Sequence, residues 1–298
     1  MTQVTADPVR TRPRFPMRSA LTTFGALFAI LSWIDLPYYQ DLWTFQSLKK
    51  MGVKVFSKTD EAWNARWNGR IHSDIRLIMG NSSIRDEDLH HLGKISAITV
   101  ISLSGTQITD NGLKELKSLV YPDALRALDL AGTKITGNGL IHLTEIRKLS
   151  ALDLSGTDIT DADLKHLVNM KGLELVSLAG TSISDSGLEH LKLLPNLKSL
   201  YLGGTKITDE GLVMIAEMKQ LKDLSLAETA VTDAGLTQLI ADSMLEKIEL
   251  RQTSVTSALM ERLLELENLK ATSLKDTQFS QADVDEIRRR RPDVMVFH

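Results

Sequence analysis

Four histidines recur at one position of a repeated sequence and are well suited by type to hold a metal ion. Each lies nine residues after a Thr or Ser of the repeat: His91, His142, His166 and His190. Imidazoles stacked in a column can bind metal ions or respond to pH. Other copies carry Glu, Met, Gln or Arg at this position. We therefore attribute the histidines to inheritance of the repeat and predict neither a metal site nor a cofactor.

Two carboxylates, Asp129 and Asp153, also share one repeat position and could form a general acid–base pair. The repeat alone explains why they correspond. The chain has no cysteine, and it contains no P-loop, nucleophile elbow, zinc-protease motif or dinucleotide-binding fingerprint. Because the repeats leave few residues free to build a pocket, we predict no catalytic residue and no enzymatic activity.

A basic run, Arg288–Arg291, has a composition that could indicate nucleic-acid binding. The run ends a predicted helix directly before Pro292, where cations stabilise the carboxyl end of the helix. The whole chain carries a formal net charge of −3, which gives no bulk attraction to nucleic acid or anionic lipid. We interpret the run as part of a C-terminal cap and predict no nucleic-acid partner.

All these positions are set by a sequence repeat of 24 residues. A Gly-Thr or equivalent pair recurs at Thr106, Thr133, Thr157, Thr181, Thr205, Thr229, Thr253 and Thr277. The first gap is 27 residues and the others are 24. A degenerate copy at Ser82 precedes them, which makes nine repeats. We expect the extra residues of the first gap to form a small bulge near Tyr121–Asp123.

Each copy combines a short strand with a short helix, as residues 151–170 (ALDLSGTDITDADLKHLVNM) illustrate. Leu152 and Leu154 alternate with outward-facing residues, which is the period of a strand with one buried face. The second half of the copy has helical spacing. The Thr of the I-T-D segment, Thr160 here, is suited to cap that helix, and the Asp after it favours the positive end of the helix dipole.

The pattern L-x-x-L-x-L-x-G-T-x-I-T-D-x-G-L resembles leucine-rich repeats over roughly residues 75–298. Its I-T-D-x-G-L half is similar to the repeats of F-box-type leucine-rich proteins and of many bacterial tandem-repeat proteins. Thr stands where the family usually has the Asn or Cys that satisfies loop backbone groups. The resemblance implies an α/β leucine-rich-repeat solenoid, a horseshoe with a parallel β-sheet on its concave face and short helices on its convex face.

The N-terminal segment predicts a membrane anchor ahead of the solenoid. Residues 19–34 carry no charged side chain, arginines precede them and aromatic residues follow. This run would span about 24 Å, against ~30 Å for a bilayer core, and snorkelling of Arg18 reduces the mismatch. We predict a basic cytoplasmic tail at 1–18 and a transmembrane or signal-anchor helix at 19–37. A cleaved signal peptide and a buried soluble helix are the alternatives.

The flanks of the repeat array are typical of solenoid caps. We predict an N-terminal capping region at 38–75, and the nine repeats with a C-terminal cap at 76–298. The first cap contains Trp63 and Trp67, and the second ends in a predicted strand, Val294–Phe297. Open solenoids need such polar or aromatic lids.

The predicted concave face supplies the candidate binding residues. Its larger or charged members are Asp129, Asp153, Tyr201, Asp223, Lys247, Glu249, Arg251 and Lys275. Solenoids commonly bind partners on this face, and Tyr and Arg are frequent hot-spot residues. We predict a non-catalytic, single-pass membrane protein whose repeats, in the periplasm or at the cell surface, bind a protein or a glycan.

Two other functions stay open at this stage. The F-box resemblance implies a substrate receptor of a ubiquitin ligase in a eukaryotic cytoplasm, although residues 40–75 do not resemble the adaptor-binding helical module that such a receptor needs. An enzyme with an unrecognised site on the solenoid is the second alternative, and no motif supports it.

Overall fold

The chain folds into one continuous sheet that follows the order of the sequence. The computed structural model describes residues 54–57, 75–95, 98–119, 122–240 and 243–298. Within these ranges β1 pairs antiparallel with β2, and every later strand pairs parallel with the one before it. The strands are β1 (Lys54–Ser57), β2 (Ile75–Ile78), β3 (Ile98–Ser102), β4 (Ala127–Asp129), β5 (Ala151–Asp153), β6 (Leu175–Ser177), β7 (Ser199–Tyr201), β8 (Asp223–Ser225), β9 (Lys247–Glu249), β10 (Ala271–Ser273) and β11 (Met295–Phe297).

A helical segment follows each strand from β2 to β10 at the same place in the repeat. The α-helices are α1 (Asp110–Glu115), α2 (Gly137–Leu140), α3 (Leu188–Leu191), α4 (Asp209–Ala216), α5 (Asp233–Ile240), α6 (Met260–Glu265) and α7 (Gln281–Arg290). The 3-10 helices are Asp86–Lys94, Leu116–Ser118, Pro122–Ala124, Ile141–Leu143, Asp161–His166, Asp185–Gly187 and Ser257–Leu259. Parallel strands that alternate with short helices form the solenoid that the periodicity predicts.

The predicted N-terminal tail and anchor, 1–18 and 19–37, lie outside the described residues. Of the predicted capping region 38–75, the structure describes β1 and the first residue of β2. None of the helices in the described ranges has both the length and the apolar character required to cross a bilayer. The predicted terminal strand begins one residue later than expected, because the N–H of Val294 donates to the carbonyl of Arg291 in a turn.

The inward side chains of the sheet form one apolar core that runs along the solenoid. Leu128, Leu152 and Val176 occupy neighbouring strands in register, and all are fully buried. The row continues through Leu200 and Leu224 to the following strands. Because the leucines of one repeat pack against those of the next, burial of apolar surface stabilises the stack and not the isolated repeat.

A tight turn closes each strand and explains the Gly-Thr pair. Gly156 has a φ of 62°, a left-handed conformation that favours glycine. The hydroxyl of the next residue, Thr157, then donates to the carbonyl of Leu154 at 2.5 Å. The Thr at the equivalent position makes this bond in the other repeats as well, for example Thr205 to Leu202. Thr thus satisfies a buried loop carbonyl with its own side chain.

The carboxylate at the first position of a helix joins one repeat to the next. In α4, the N–H and the hydroxyl of the N-cap residue Thr208 donate to Asp185 of the preceding repeat, at 3.0 and 2.7 Å. We call this arrangement the cross-repeat carboxylate. It recurs in the pairs Asp86–Thr109, Asp110–Thr136, Asp161–Ser184, Asp209–Thr232 and Asp233–Thr256.

The glycine two residues after this Asp position makes room for that carboxylate. A Cβ on Gly211 would lie 2.1 Å from Oδ1 of Asp185, and a Cβ on Gly139 would lie 2.4 Å from Oδ1 of Asp110. Real Cβ atoms do not approach oxygen so closely. The sequence predicts these glycines to lie in a tight first turn, and the structure adds that the neighbouring repeat fills their side-chain space.

Thr272 is a buried residue whose replacement should stabilise the fold. It occupies the inward row of β10 between Ile248 and Val296, and its hydroxyl has no hydrogen-bond partner in the described structure. A buried hydroxyl without a partner costs free energy, and Val has nearly the same shape. We expect Thr272→Val to raise the free energy of unfolding by about 1 kcal/mol in urea denaturation.

The matched control is Thr253→Val, since Thr253 is also buried but its hydroxyl donates to the carbonyl of Leu250 at 2.6 Å. Its removal should lower the free energy of unfolding by about 1 kcal/mol. A loss of stability in both variants would contradict the role assigned to Thr272.

Candidate functional site

We call the face of the sheet that points away from the core the open sheet face. Side chains alternate along each strand, so residues on either side of an inward leucine project from this face. The strand register aligns them in rows across the repeats. All eight residues predicted as binding candidates project from it or from the turn that follows: Asp129, Asp153, Tyr201, Asp223, Lys247, Glu249, Arg251 and Lys275.

The N-terminal part of the open sheet face is closed to solvent. Val100, Ala127 and Ala151 form a small apolar cluster of their own, at most 7% exposed. Asp129 is 4% exposed; its carboxylate accepts the hydroxyl of Ser102 at 2.7 Å. Asp129 is therefore held within the fold and does not offer an exposed contact to a partner.

Asp129 and Asp153, the two carboxylates that could have formed an acid–base pair, lie side by side but have structural hydrogen bonds. Asp129 pairs in register with Asp153 on the next strand. Oδ1 of Asp129 accepts the N–H of Ala131 at 3.1 Å. Oδ1 of Asp153 accepts both the N–H and the hydroxyl of Ser155, at 2.9 and 2.6 Å. Each carboxylate thus stabilises the turn that follows its own strand.

The C-terminal part of the open sheet face carries a mixed cluster of charges with one tyrosine. We call this cluster the charged patch, and it consists of Tyr201, Asp223, Glu228, Lys247, Glu249, Arg251 and Lys275. These residues span β7 to the turn after β10. Six of the eight sequence-predicted candidates therefore fall together, whereas Asp129 and Asp153 lie apart on β4 and β5.

Arg251 is the centre of the ion pairs in the charged patch. Its guanidinium lies 2.7 Å from Oε1 of Glu228 and 3.8 Å from Oε1 of Glu249. Glu249 also accepts the hydroxyl of Ser225 at 2.8 Å. Lys247 lies 3.8 Å from Asp223, so its ammonium is held loosely. These contacts order the side chains and leave them partly exposed.

Tyr201 is the half-buried aromatic residue of the charged patch. Burial raises the pKa of its phenol, and the nearby carboxylate of Asp223 raises it further. The neutral phenol can therefore donate and accept hydrogen bonds over the physiological pH range. An amphipathic ring on a rigid strand loses little entropy on contact with a partner.

Three residues within or next to the charged patch, like Asn81 in the first repeat, hold left-handed backbone where the repeats from Gly105 to Gly204 have glycine. Glu228, Gln252 and Asp276 have φ values of 58°, 54° and 55°. Such conformations cost of order 1 kcal/mol for residues with a Cβ and persist most often at functional sites. Glu228 was missed as a site residue. Its signal was the loss of glycine from the Gly-Thr pair, where the sequence reads Glu-Thr.

Two large apolar side chains extend the open sheet face beyond the charged patch. Met295 and Phe297 on β11 are 60% and 58% exposed. Register places Met295 in the row of Lys247 and Phe297 in the row of Glu249. The free edge of β11 is blunted, because Arg288 donates to the carbonyl of Val296 at 2.8 Å. The exposed apolar surface therefore lies on the face of the sheet and not along its edge.

A bridge of three charged residues, which we call the buttress, lies directly before strands β8, β9 and β10. The carboxylate of Glu246 bridges the ammonium groups of Lys222 and Lys270, each at 2.5 Å. These three residues belong to three consecutive repeats. Hydrogen bonds from the two lysines lower the pKa of Glu246 to about 2. The bridge ties the starts of β8, β9 and β10 together, next to the charged patch.

The repeated histidines do not assemble a metal centre. Within the described ranges, no group of three or more His, Asp or Glu side chains is placed to hold a metal ion. His142 has a buried Nδ1 without a hydrogen-bond partner. Burial lowers its pKa, and Lys117 and Lys114 lower it further. The imidazole is thus neutral near neutral pH and packs as part of the repeat.

Each arginine of the run Arg288–Arg291 has a partner in the structure. Arg290 makes a two-point contact with Glu261 of the preceding repeat, at 2.5 and 3.0 Å. Arg291 donates to the carbonyls of Leu264, Leu266 and Leu269 at 3.0 to 3.3 Å. The run therefore ties the last helix to the repeat before it.

A parallel sheet with one helical segment per strand, repeated every 24 residues, defines a solenoid protein of the strand–helix class. Residues 97–117, 125–143, 145–168 and 194–216 match the family described as Leucine Rich repeat. These matched segments are leucine-rich repeats.

The chain is also similar to a solved structure, internalin C2 (inlC2) from Listeria monocytogenes. The two share 25% sequence identity over 72% of this chain and 83% of that chain, with a TM-score of 0.49. A comparison with curated proteins gave no match.

The buttress predicts a defined acid sensitivity. The pKa of Glu246 is depressed in the folded chain, from 4.5 to about 2, so its contribution to stability is complete above pH 4.5. That contribution is lost as pH falls from about 4.5 to about 2, because protonation ends both ion pairs. Urea denaturation of the wild type and Glu246→Gln should differ by a constant free energy at pH 6 to 5, and the difference should shrink towards pH 2. A difference that does not change with pH would exclude this role.

Proposed function

We propose that this leucine-rich-repeat protein is a non-catalytic interaction module, and that the charged patch with Met295 and Phe297 is the surface that binds its protein partner. The observation that carries the proposal is the composition of this surface. Tyr, Arg, Met and Phe are the residue types enriched where proteins bind one another, and here they lie on one face of the sheet, between β7 and β11.

Pre-ordering of the charged side chains supports a role in binding. The contacts of Arg251 with Glu228 and of Glu249 with Ser225 hold side chains that would otherwise lose rotamer freedom on association. Rigid groups lose less entropy when a partner arrives. The exposed Lys275 has no ion pair within the described ranges and is available to a carboxylate of the partner.

The apolar end of the surface determines the kind of partner. Met295 and Phe297 favour a partner that presents an apolar side chain, and the surrounding charges favour polar groups of both signs around it. A protein surface has this composition. The partner is therefore a protein whose apolar contact is surrounded by charged residues.

Charge and aromatic substitutions test the binding surface. A photo-crosslinking residue at Ser273 in the native cell identifies the partner, and calorimetry then measures its affinity for purified variants. We expect Lys275→Glu and Tyr201→Ala each to weaken binding by about tenfold, the loss typical of a hot-spot residue.

The matched control is Lys165→Glu, the same charge change on an exposed residue of the helical side. It should leave the affinity unchanged, and a crosslinker at position 165 should not capture the same protein. Equal capture from both faces, or wild-type affinity in both patch variants, would refute the proposed surface.

We also propose that residues 19–37 anchor the chain in a membrane with the repeats outside the cytoplasm. The support is the uncharged run with arginines before it and aromatic residues after it. Leu27→Arg places a charge within that run, which is costly in hydrocarbon. We expect this variant to move from the carbonate-resistant membrane fraction to the soluble fraction, whereas Leu27→Ala should remain in the membrane.

Protease added to intact cells should digest the repeats of the wild-type protein if they lie outside. Protection of the repeats, or a wild-type protein that is entirely soluble and cytosolic, would disprove the anchor. The second result would instead favour the ubiquitin-ligase receptor.

A further inference from the structure

Two junctions between repeats lack the cross-repeat carboxylate, and the first of them lies between β4 and β5. The helix after β4 starts with Gly137, where its neighbours have Asp. The next N-cap residue, Thr160, therefore receives no carboxylate from the preceding repeat. Its N–H and hydroxyl donate instead to Asp163 of its own helix, at 2.9 and 2.7 Å. The same pair of hydrogen bonds is made, but it no longer crosses the junction.

The two arrangements exclude each other sterically. A Cβ on Gly137 would lie 1.8 Å from Oδ1 and 2.2 Å from Cγ of Asp163. At an intact junction the positions are reversed: Asp185 supplies the carboxylate, and Gly211 leaves the space for it. Each of these two junctions has space for one carboxylate next to the N-cap residue. The Asp that supplies it lies either in the repeat before the junction or in the repeat after it.

The self-capped form is the one found at the start of the array. The first helical segment, Asp86–Lys94, has Asp88 at the position of Asp163, and Oδ2 of Asp88 accepts the N–H of Arg85 at 2.9 Å. The repeat that begins at β5 is therefore capped like a first repeat. Its helix needs no neighbour on the N-terminal side for its N-cap.

A second self-cap, at Ser280 and Asp283, follows another position without Asp, Ser257. Arg290 and Arg291 bridge that junction by their bonds to Glu261 and to carbonyls of the preceding repeat. On the helical side of the β4–β5 junction, between residues 134–148 and 158–172, the structure contains no side-chain hydrogen bond or ion pair that crosses it. The β4–β5 junction is thus the weakly joined one.

The stability of a repeat array is the sum of the stability of each repeat and of the interfaces between neighbours. When the carboxylate that accepts both hydrogen bonds belongs to the same repeat as the N-cap residue, the helix of that repeat is still capped. The interface with the preceding repeat, however, loses two hydrogen bonds and is weaker. From this we infer that the solenoid consists of two cooperative units, residues 75–149 and 150–298, which separate at the β4–β5 junction before either unit unfolds. This inference concerns the fold and is independent of the proposed binding function.

Native-state hydrogen exchange of the full chain tests this division. In the wild type, backbone amides of β3 and β4 should exchange through a different opening reaction from those of β6 to β9. The free energy of opening should therefore change abruptly, as a step, at the β4–β5 junction. Gly137→Asp alone and Asp163→Gly alone should each reduce the folding equilibrium by about tenfold, by a clash and by loss of the N-cap bonds. The double variant moves the carboxylate across the junction, so it should recover stability and reduce the step.

The reciprocal swap is the control. Asp185→Gly with Gly211→Asp converts an intact junction into a self-capped one, and it should create a second step between β6 and β7. Uniform exchange along the wild-type array, or steps that neither double variant shifts, would overturn the inference. Circular dichroism of each variant verifies that the fold is retained.

Discussion

The structure depends on the constraint that a repeat can bury its leucines only against the next repeat. A three-residue strand and a helix of one or two turns enclose too little volume for a core of their own. The inward row of the sheet is therefore apolar from β3 to β9, and Thr272 is its polar member on β10. Chemistry that contacts other molecules is limited to positions that stacking leaves free, which are the open sheet face and the outer helical surface.

The loops impose a second constraint, since every turn brings backbone polar groups out of regular pairing. The chain answers with side chains that recur at each repeat: the threonine hydroxyl bonded to a strand carbonyl, and the cross-repeat carboxylate bonded to an N-cap. The carboxylate accepts two hydrogen bonds in a space next to the following helix, so Gly usually follows a junction that Asp precedes. Leu259 is the exception: it occupies the glycine position, and Thr256 still donates to Asp233 at 2.9 and 2.6 Å.

Periodicity was sufficient to predict the architecture from the sequence. The strand–helix alternation and the Thr caps follow from patterns within one repeat. What it could not predict depends on side chains that meet across repeats. Asp110 was predicted to favour a helix dipole, and its bonds to Thr136 connect residues 26 apart in the sequence. The sequence places Asp129 on the exposed face of the sheet. Its burial depends on the side chains of neighbouring strands, which a repeat pattern does not specify.

The charged patch lies entirely on one side of the weakly joined β4–β5 junction. All of its strands, β7 to β10, lie on the C-terminal side of the β4–β5 junction, and the Glu246 buttress joins three of those strands. Opening at that junction would separate Asp129 from Asp153, which lie on opposite sides of it, and would leave the patch intact. Cross-repeat carboxylates join β7 to β8 and β8 to β9 on the helical side, and the Lys270–Glu246 pair and Arg290 link the β9–β10 junction, which lacks one. Movement of the inferred N-terminal unit, residues 75–149, would therefore not alter the charged patch.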